Sequence, residues 1–117
     1  MQDGSSNIHP IQTYREFWPY YLREHAKPAT RMVHYAGTAL ATASLLALID
    51  TGNGWFGLLA LIGGYGPAWF GHFFIEKNRP ATFQYPFWSL ISDYRMAWTW
   101  VTGRMGRELA KAGVTSR

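Results

Sequence analysis

The stretch from Thr51 to Ile75, TGNGWFGLLALIGGYGPAWFGHFFI, decides the fold class because it runs for twenty-five residues without a formal charge. A helix of about 20 residues crosses the roughly 30 Å apolar core of a bilayer, so this stretch is long enough to span a membrane. His72 lies near its end, and Glu76 follows four residues later. Residues four apart share one face of an α-helix, so we expect these two side chains to be neighbours.

A second uncharged segment, residues 32–49, precedes the first and carries His34 close to its beginning. The residues between the two segments, Asp50 to Gly54, contain glycines and no positive charge, which is typical of a turn. The pattern predicts an all-α fold built on a membrane helical hairpin, with spans at about 32–49 and 55–76. The alternative is a soluble helical bundle in which both segments are buried core helices.

Amphipathic segments are predicted on both sides of the hairpin. Thr13 and Glu16 have the spacing of a capping box, which begins a helix of about residues 14–27. Apolar residues repeat at helical spacing from Phe87 to Met105, which predicts a helix ending near Gly113. With 17% aromatic residues and six tryptophans, these helices suit a membrane interface.

The predicted organisation is one helical membrane domain over residues 13–113. Residues 1–12 are mostly polar and include Gly, Ser, Asn and Asp, which is typical of a disordered leader, and residues 114–117 form a tail.

The charge distribution predicts the orientation in the membrane. The net charge is +4, and the basic residues lie before and after the hairpin but are missing from its turn. By the positive-inside rule, an integral membrane protein with this pattern has both termini in the cytoplasm and should contact membrane lipid. No regular element carries a basic stripe, so nucleic acid is not a predicted partner. The absence of cysteine excludes disulfides and thiolate metal sites.

The hairpin should bring histidines together. His34 lies eighteen residues before Gly52 and His72 lies twenty after it. At about 1.5 Å per residue both fall roughly 27–30 Å from the turn, at the same depth. His25 joins them if the first helix folds back under the hairpin, and Glu76 lies one turn beyond His72. Three imidazoles and a carboxylate then converge at the cytoplasmic end.

Such a cluster predicts a metal site. Imidazole and carboxylate ligands without sulfur suit Fe(II), Mn or Zn, and open positions beside them are typical of non-haem iron oxygenases. We therefore interpret His25, His34, His72 and Glu76 as metal-ligating and catalytic residues. The alternative is that the histidines only satisfy hydrogen bonds, in a non-catalytic membrane adaptor or a lipid-binding hairpin.

Four further residues are candidates near this site. Glu24 and Asp93 could orient imidazole N–H groups, as acidic residues around metal ligands do. Arg31 and Arg79 could bind the carboxylate of a substrate or the phosphate of a lipid.

Two histidine-bearing motifs resemble a known family. Arg23 to Gly37 reads REHAKPATRMVHYAG, and Gly71 to Ala81 reads GHFFIEKNRPA. Both are similar, in this order, to motifs of the Mpo-type family of 2-hydroxy-fatty-acid dioxygenases. Trp88 to Leu90 and Asp93 resemble the C-terminal pattern of that family, and the resemblance covers about residues 17–103. One position departs from it, because Thr30 stands where the family often has Asn.

The resemblance implies an Fe(II)-dependent membrane enzyme with a 2-hydroxy fatty acid and O₂ as substrates. Such an enzyme shortens the acid by one carbon and releases the carboxyl carbon as CO₂. The resemblance makes His25, His34 and His72 the metal ligands, and Glu76 a ligand or a near neighbour.

The glycines of the second span suggest where the acyl chain lies. We expect it in the gap between the two spans, where Gly63, Gly64 and Gly66 leave room. Two spans enclose little volume, so a homodimer that completes the lipid pocket is a further expectation.

Overall fold

A helical hairpin dominates the computed structural model, which describes residues 11–114. Helix α2 forms one arm, and the second arm is helix α3 continued by a π-helical segment. Both arms, Pro28–Thr51 and Trp55–Glu76, are long and apolar enough to cross a membrane. All regular structure in the described part of the chain is helical, which confirms the predicted fold class. The elements are α1 (Tyr14–Arg23), α2 (Pro28–Thr51), α3 (Trp55–Phe70), the π-helical segment (Gly71–Glu76), a 3₁₀ turn (Ala81–Phe83), α4 (Pro86–Val101) and α5 (Met105–Lys111).

Helix α2 has clear start and stop signals. It begins at Pro28, four residues before the predicted span, because proline fits the first turn of a helix, where no amide partner is needed. It ends at Thr51, and the next residue, Gly52, adopts the left-handed conformation with φ of 70° and donates its N–H to the Leu48 carbonyl at 2.8 Å. Glycine adopts this conformation at little cost, so the chain can turn directly into α3.

The two arms of the hairpin pack backbone to backbone at Gly37. A Cβ atom at Gly37 would lie 3.0 Å from the Gly63 carbonyl oxygen and 3.1 Å from that of Gly64. At Gly63 a Cβ atom would lie 2.6 Å from the side chain of Leu40. The small residues therefore bring the helices together, as in membrane helix pairs. The expectation that Gly63 leaves room for an acyl chain between the spans is wrong, because the opposite helix fills that room.

Helix α1 folds back against the C-terminal helices. The predicted capping box is present, since Thr13 Oγ1 accepts from the Glu16 N–H at 3.2 Å and Glu16 Oε1 accepts from the Gln12 N–H at 3.2 Å. The helix ends at Arg23 rather than near residue 27. Its buried face joins residues of α4 and α5 in an apolar core, which includes Phe17, Trp18, Tyr21, Leu22, Met96, Met105 and Leu109.

The predicted ends of the chain lie largely outside the described residues. Of the predicted leader, only Ile11 and Gln12 are described, and the Ile11 N–H donates to the Tyr85 hydroxyl at 3.2 Å. Of the predicted tail, only Val114 is described, and it is buried in the core.

Helix α4 has a polar face towards the protein and an apolar face outwards. Ser89, Ser92 and Thr99 are buried. The apolar stripe on the other side is exposed, with Phe87 at 79% and Trp98 at 63% of their surfaces. This arrangement is opposite to that of a water-soluble domain and is consistent with the predicted contact of this helix with lipid. The single C-terminal helix that we expected is divided in two at Gly103, which has φ of 78°.

Candidate metal centre

Three separate parts of the fold carry the three histidines. His25 lies in the connection between α1 and α2, His34 in the second turn of α2, and His72 is the second residue of the π-helical segment. A π-helical turn is often found at a functional position. The side chains are 1%, 5% and 2% exposed, respectively, so all three imidazoles are buried.

The three imidazole rings meet at one point. The potential ligand atoms of the three histidines all lie within 4.8 Å of one another. Among residues 11–114, these histidines form the cluster that could hold a metal ion. The ring centroids are 4.3, 4.5 and 5.0 Å apart. The Nε2 atoms of His25 and His34 are 3.0 Å apart. The structure thus brings together His34 and His72, as the hairpin geometry predicted, and also His25, whose approach was predicted if the first helix folds back.

Backbone carbonyls orient two of the rings. His25 Nδ1 lies 2.7 Å from the carbonyl oxygen of Tyr21, and His34 Nδ1 lies 3.3 Å from that of Thr30. A carbonyl oxygen only accepts hydrogen bonds, so each Nδ1 carries the proton and each Nε2 presents a lone pair. Because neither Nε2 has a hydrogen to donate, the close approach of His25 and His34 is not a hydrogen bond between neutral rings.

Asn78 orients the third ring. Its Nδ2 donates to the backbone carbonyl of Glu24 at 3.0 Å and to Glu24 Oε1 at 3.2 Å. The amide oxygen of Asn78 is then left to accept from His72 Nδ1, at 2.7 Å. Glu24 was predicted to orient an imidazole directly, but it acts on His72 through Asn78. Burial of Glu24 raises the pKa of its carboxyl, and the nearby charge of Glu76 raises it further.

Burial keeps the His25 ring neutral. It lowers the pKa of His25 well below the usual value, and the neighbouring His34 and His72 imidazoles lower it further. A protonated ring is therefore disfavoured in this position. Lone pairs that face each other without a proton favour a bound cation, and this donor set of three imidazoles fits Fe(II), Mn or Zn.

The histidines border a cavity of about 20 Å³, room for roughly one ion or water molecule. Tyr65, Ser89 and Asp93 also line it. Ser89 Oγ is buried and has no hydrogen-bond partner within residues 11–114. A buried hydroxyl without a partner is costly, so this atom is available for a molecule bound in the cavity.

Asp93 borders the same cavity. It was predicted to contact an imidazole N–H, but its partner is Tyr21. Its carboxylate accepts a hydrogen bond from the Tyr21 hydroxyl, and the Tyr21 ring packs on His25 with 4.1 Å between centroids. Burial raises the pKa of Asp93 to about 7, although the hydrogen bond from Tyr21 lowers it. This carboxyl can therefore gain or lose a proton near neutral pH.

Glu76 lies outside the histidine group. Its Oε1 accepts from the Lys27 backbone N–H at 2.7 Å, at the N-terminus of α2. A carboxylate is stabilised there by the free amides and the helix dipole, which helical spacing from His72 does not reveal. The structure therefore corrects the interpretation of Glu76 as a metal ligand, since its carboxylate joins the two arms of the hairpin instead.

Neither predicted arginine lines the histidine cavity. The buried Arg31 donates from Nη1 to the carbonyl oxygens of His25 and Ala26, both at 2.9 Å, so it holds the connection that carries His25. Arg79 is exposed and lies over the ring of Phe83, 5.5 Å from its centroid.

Sequence reasoning assigned no role to Asn78 or Ser89. A signal for Asn78 was present, because it lies in the second histidine-bearing motif, six residues after His72. Ser89 lies in the Trp88 to Leu90 motif and on the polar side of α4, but neither signal reveals that this side is the buried one.

Comparison with known proteins supports the resemblance seen in these motifs. The family model described as "2-hydroxy-palmitic acid dioxygenase Mpo1-like" matches residues 11–105, which include the three histidines, Asn78 and Ser89. No curated protein and no solved structure matches the chain. Since the matched residues cover most of its length, the chain belongs to the Mpo1-like family.

Proposed function

We propose that the chain is a membrane-embedded enzyme that shortens 2-hydroxy fatty acids by one carbon with O₂. The reaction balances when one 2-hydroxy acid and one O₂ give the acid one carbon shorter, one CO₂ and one water. The observation that carries this proposal is the buried cluster of His25, His34 and His72, with each Nδ1 held by an oxygen acceptor and the Nε2 atoms left as ligands. Family membership supports the choice of reaction.

We assign Fe(II) to this cluster. Three imidazoles fit Fe(II), Mn and Zn alike. A reaction that consumes O₂ needs a metal that changes oxidation state, which excludes Zn, and the family resemblance implies Fe(II) rather than Mn. When bound, Fe(II) would supply electrons to O₂ and a common position for O₂ and the hydroxy acid. The cavity of about 20 Å³ supports one metal ion for each chain rather than two.

The exposed surface of the hairpin supports a place in the membrane. Large apolar side chains cover the outside of both arms, among them Leu46, Ile49, Leu58 and Ile62. Water would destabilise such a surface, whereas lipid would not. With the basic residues at the ends of the hairpin, this supports an integral membrane protein with both termini and the histidine cluster on the cytoplasmic side.

Three further side chains have roles in this proposal. The free Ser89 hydroxyl donates a hydrogen bond to the substrate carboxylate. Asp93 Oδ2 accepts the proton of the substrate 2-hydroxyl, since the Tyr21 hydroxyl already occupies Oδ1 and the Asp93 pKa is about 7. Arg31 fixes the His25 connection, so that the site keeps its geometry before the substrate binds.

The proposal is tested with detergent-purified protein loaded with Fe(II) under anaerobic conditions. We expect about one iron per chain and, after admission of O₂ with 2-hydroxypalmitate, release of CO₂ and pentadecanoate in equal amounts. Palmitate, which lacks the 2-hydroxyl, should support no O₂ uptake. Folded protein that binds no metal and consumes no O₂ would show instead that the histidines have a structural role, as in an adaptor.

Asn78 is expected to control metal affinity through His72. In Asn78→Ala the ring loses its Nδ1 acceptor and its fixed tautomer, so we expect metal affinity to fall by about 10–100-fold. Competition with a chelator measures this change. Asn53→Ala, in the turn of the hairpin, is the control and should leave the affinity unchanged. An Asn78→Ala protein with wild-type affinity would contradict the role of Asn78.

A further inference from the structure

An apolar groove leads away from the histidine cavity. It has a volume of about 250 Å³ and lies between α2, α3 and α4. Tyr65 and Asp93 line both the groove and the cavity, so the two spaces meet at these side chains. The other lining residues of the groove are apolar except for Thr38 and Tyr94.

The groove walls on α2 and α3 lie on the same helix faces as His34 and His72, respectively. On α2, the groove residues Thr38, Ala41 and Leu45 follow His34 at intervals of four, three and four residues. These positions share one helix face, so the wall runs from the imidazole towards the turn of the hairpin. At about 1.5 Å per residue, Leu45 lies roughly 16 Å from His34.

The wall on α3 also consists of residues spaced three and four apart, and those on the face towards His72 are small. Gly57, Ala60 and Gly64 line the groove on one face of α3, and the same face continues to His72. Ala60 lies roughly 18 Å and Gly57 roughly 22 Å from His72 along the helix. The absence of large side chains at these three positions leaves the space open.

One side of the groove is open to the surroundings. Its rim contains Leu45, Leu61 and Leu90, with 44%, 59% and 52% of their surfaces exposed. These leucines belong to the same apolar surface that contacts lipid in the proposed membrane placement. Because α4 supplies the third wall, a single chain forms this groove and a second copy is not required to complete it.

We propose that the groove binds the acyl chain of the 2-hydroxy fatty acid, which enters sideways from the bilayer and lies with its carboxyl end at the histidines. Because Ala60 and Gly57 lie at increasing distances from the cluster, a larger side chain at either position would shorten the acyl chain that fits. The inference rests on the proposed function, from which it takes the identity of the substrate. It keeps the acyl chain between the two spans at Gly64, but α4 forms a third wall, and Gly63 and Gly66 do not line the groove.

The test measures binding to Fe(II)-loaded protein under anaerobic conditions, so that no turnover is needed. The probes are 2-hydroxydecanoate, 2-hydroxypalmitate and 2-hydroxystearate. In Gly57→Leu, whose new Cβ would meet only Leu48 at 3.6 Å, we expect about tenfold weaker binding of 2-hydroxystearate and unchanged binding of 2-hydroxydecanoate. In Ala60→Phe, one turn nearer to the histidines, 2-hydroxypalmitate should also bind about tenfold more weakly.

Ala36→Phe is the matched control, because Ala36 is an exposed residue of α2 outside the groove. It should bind all three acids as the wild type does. If Ala60→Phe does not fold, Gly57→Leu alone carries the test. Equal loss for all chain lengths, or the same binding in Gly57→Leu and Ala36→Phe, would overturn the assignment.

A second measurement separates the substrate from membrane lipid. A 2-hydroxy acid with a photoreactive terminal carbon should label the region of Leu45 and Leu61, and unlabelled 2-hydroxypalmitate should suppress the labelling. Suppression by phosphatidylcholine to the same extent would show a general lipid groove and would overturn the proposal. Failure of the proposed function is distinguishable, because it would remove O₂ uptake while length-dependent binding in the groove remained.

Discussion

Alanine at His25, His34 or His72 is expected to abolish stoichiometric iron binding. Each variant removes one of three converging ligands, and two imidazoles alone do not close the site. The loss should exceed the about 10–100-fold change typical of residues that only orient a ligand. Metal content and chelator competition measure it. Fe(II) should also raise the thermal midpoint of the wild type but not of these variants, because a ligand that binds only the folded state stabilises it.

His9→Ala provides the matched control, since His9 is the fourth histidine of the chain and lies outside the described residues. It should bind iron as the wild type does. Far-ultraviolet circular dichroism should show the same helix content in all four variants. A variant that lacks all three clustered histidines but keeps full iron occupancy would contradict the metal site.

The distance of two histidines from the turn of the hairpin was predictable because an α-helix rises by a constant amount per residue. Counting from Gly52 places His34 and His72 at equal distances from the turn, and the structure brings their rings within 5.0 Å between centroids. His25 was less certain from sequence alone. Its position depends on α1 folding back, and that depends on the packing of α1 against α4 and α5.

The role of Glu76 was not predictable from helical spacing. Glu76 lies four residues after His72, but its carboxylate has two potential partners, a metal ion at the histidines and the Lys27 N–H. The Lys27 N–H at the start of α2 has no partner within the helix, because a helix leaves its first amides unpaired, and it is therefore available to Glu76. Which partner binds is decided by how the two arms of the hairpin meet, and a local pattern does not contain that information.

The orientation of α4 also depends on information that the pattern lacks. Periodicity identifies an apolar face and a polar face, but it does not state which one turns to the protein. Here the face with Ser89 and Ser92 is buried against the hairpin and α1, where the Tyr14 hydroxyl hydrogen-bonds to Ser92 Oγ at 2.9 Å. The buried side therefore provides the polar groups of the site, and Ser89 was overlooked for this reason.

Gly37→Val is expected to separate the arms of the hairpin. The new side chain would meet the carbonyl oxygens of Gly63 and Gly64 at about the distance of a clash, and backbone atoms, unlike side chains, do not rotate away. Overpacking of this kind costs about 1–3 kcal/mol of unfolding free energy. The contact lies one turn from His34, so separation of the arms should also move His34 away from His72 and weaken iron binding.

Gly106→Val distinguishes this effect from the general effect of replacing a helical glycine by valine. Gly106 lies in α5, and a Cβ atom there would meet no atom within 4 Å. Unfolding in sodium dodecyl sulfate, followed by circular dichroism, should give a lower midpoint for Gly37→Val and a nearly unchanged one for Gly106→Val. Equal midpoints would mean that Gly37 does not hold the arms together. The same pair measured for iron affinity shows whether hairpin packing maintains the histidine cluster, because Gly37 lies in a contact between the two arms that carry His34 and His72, whereas Gly106 does not.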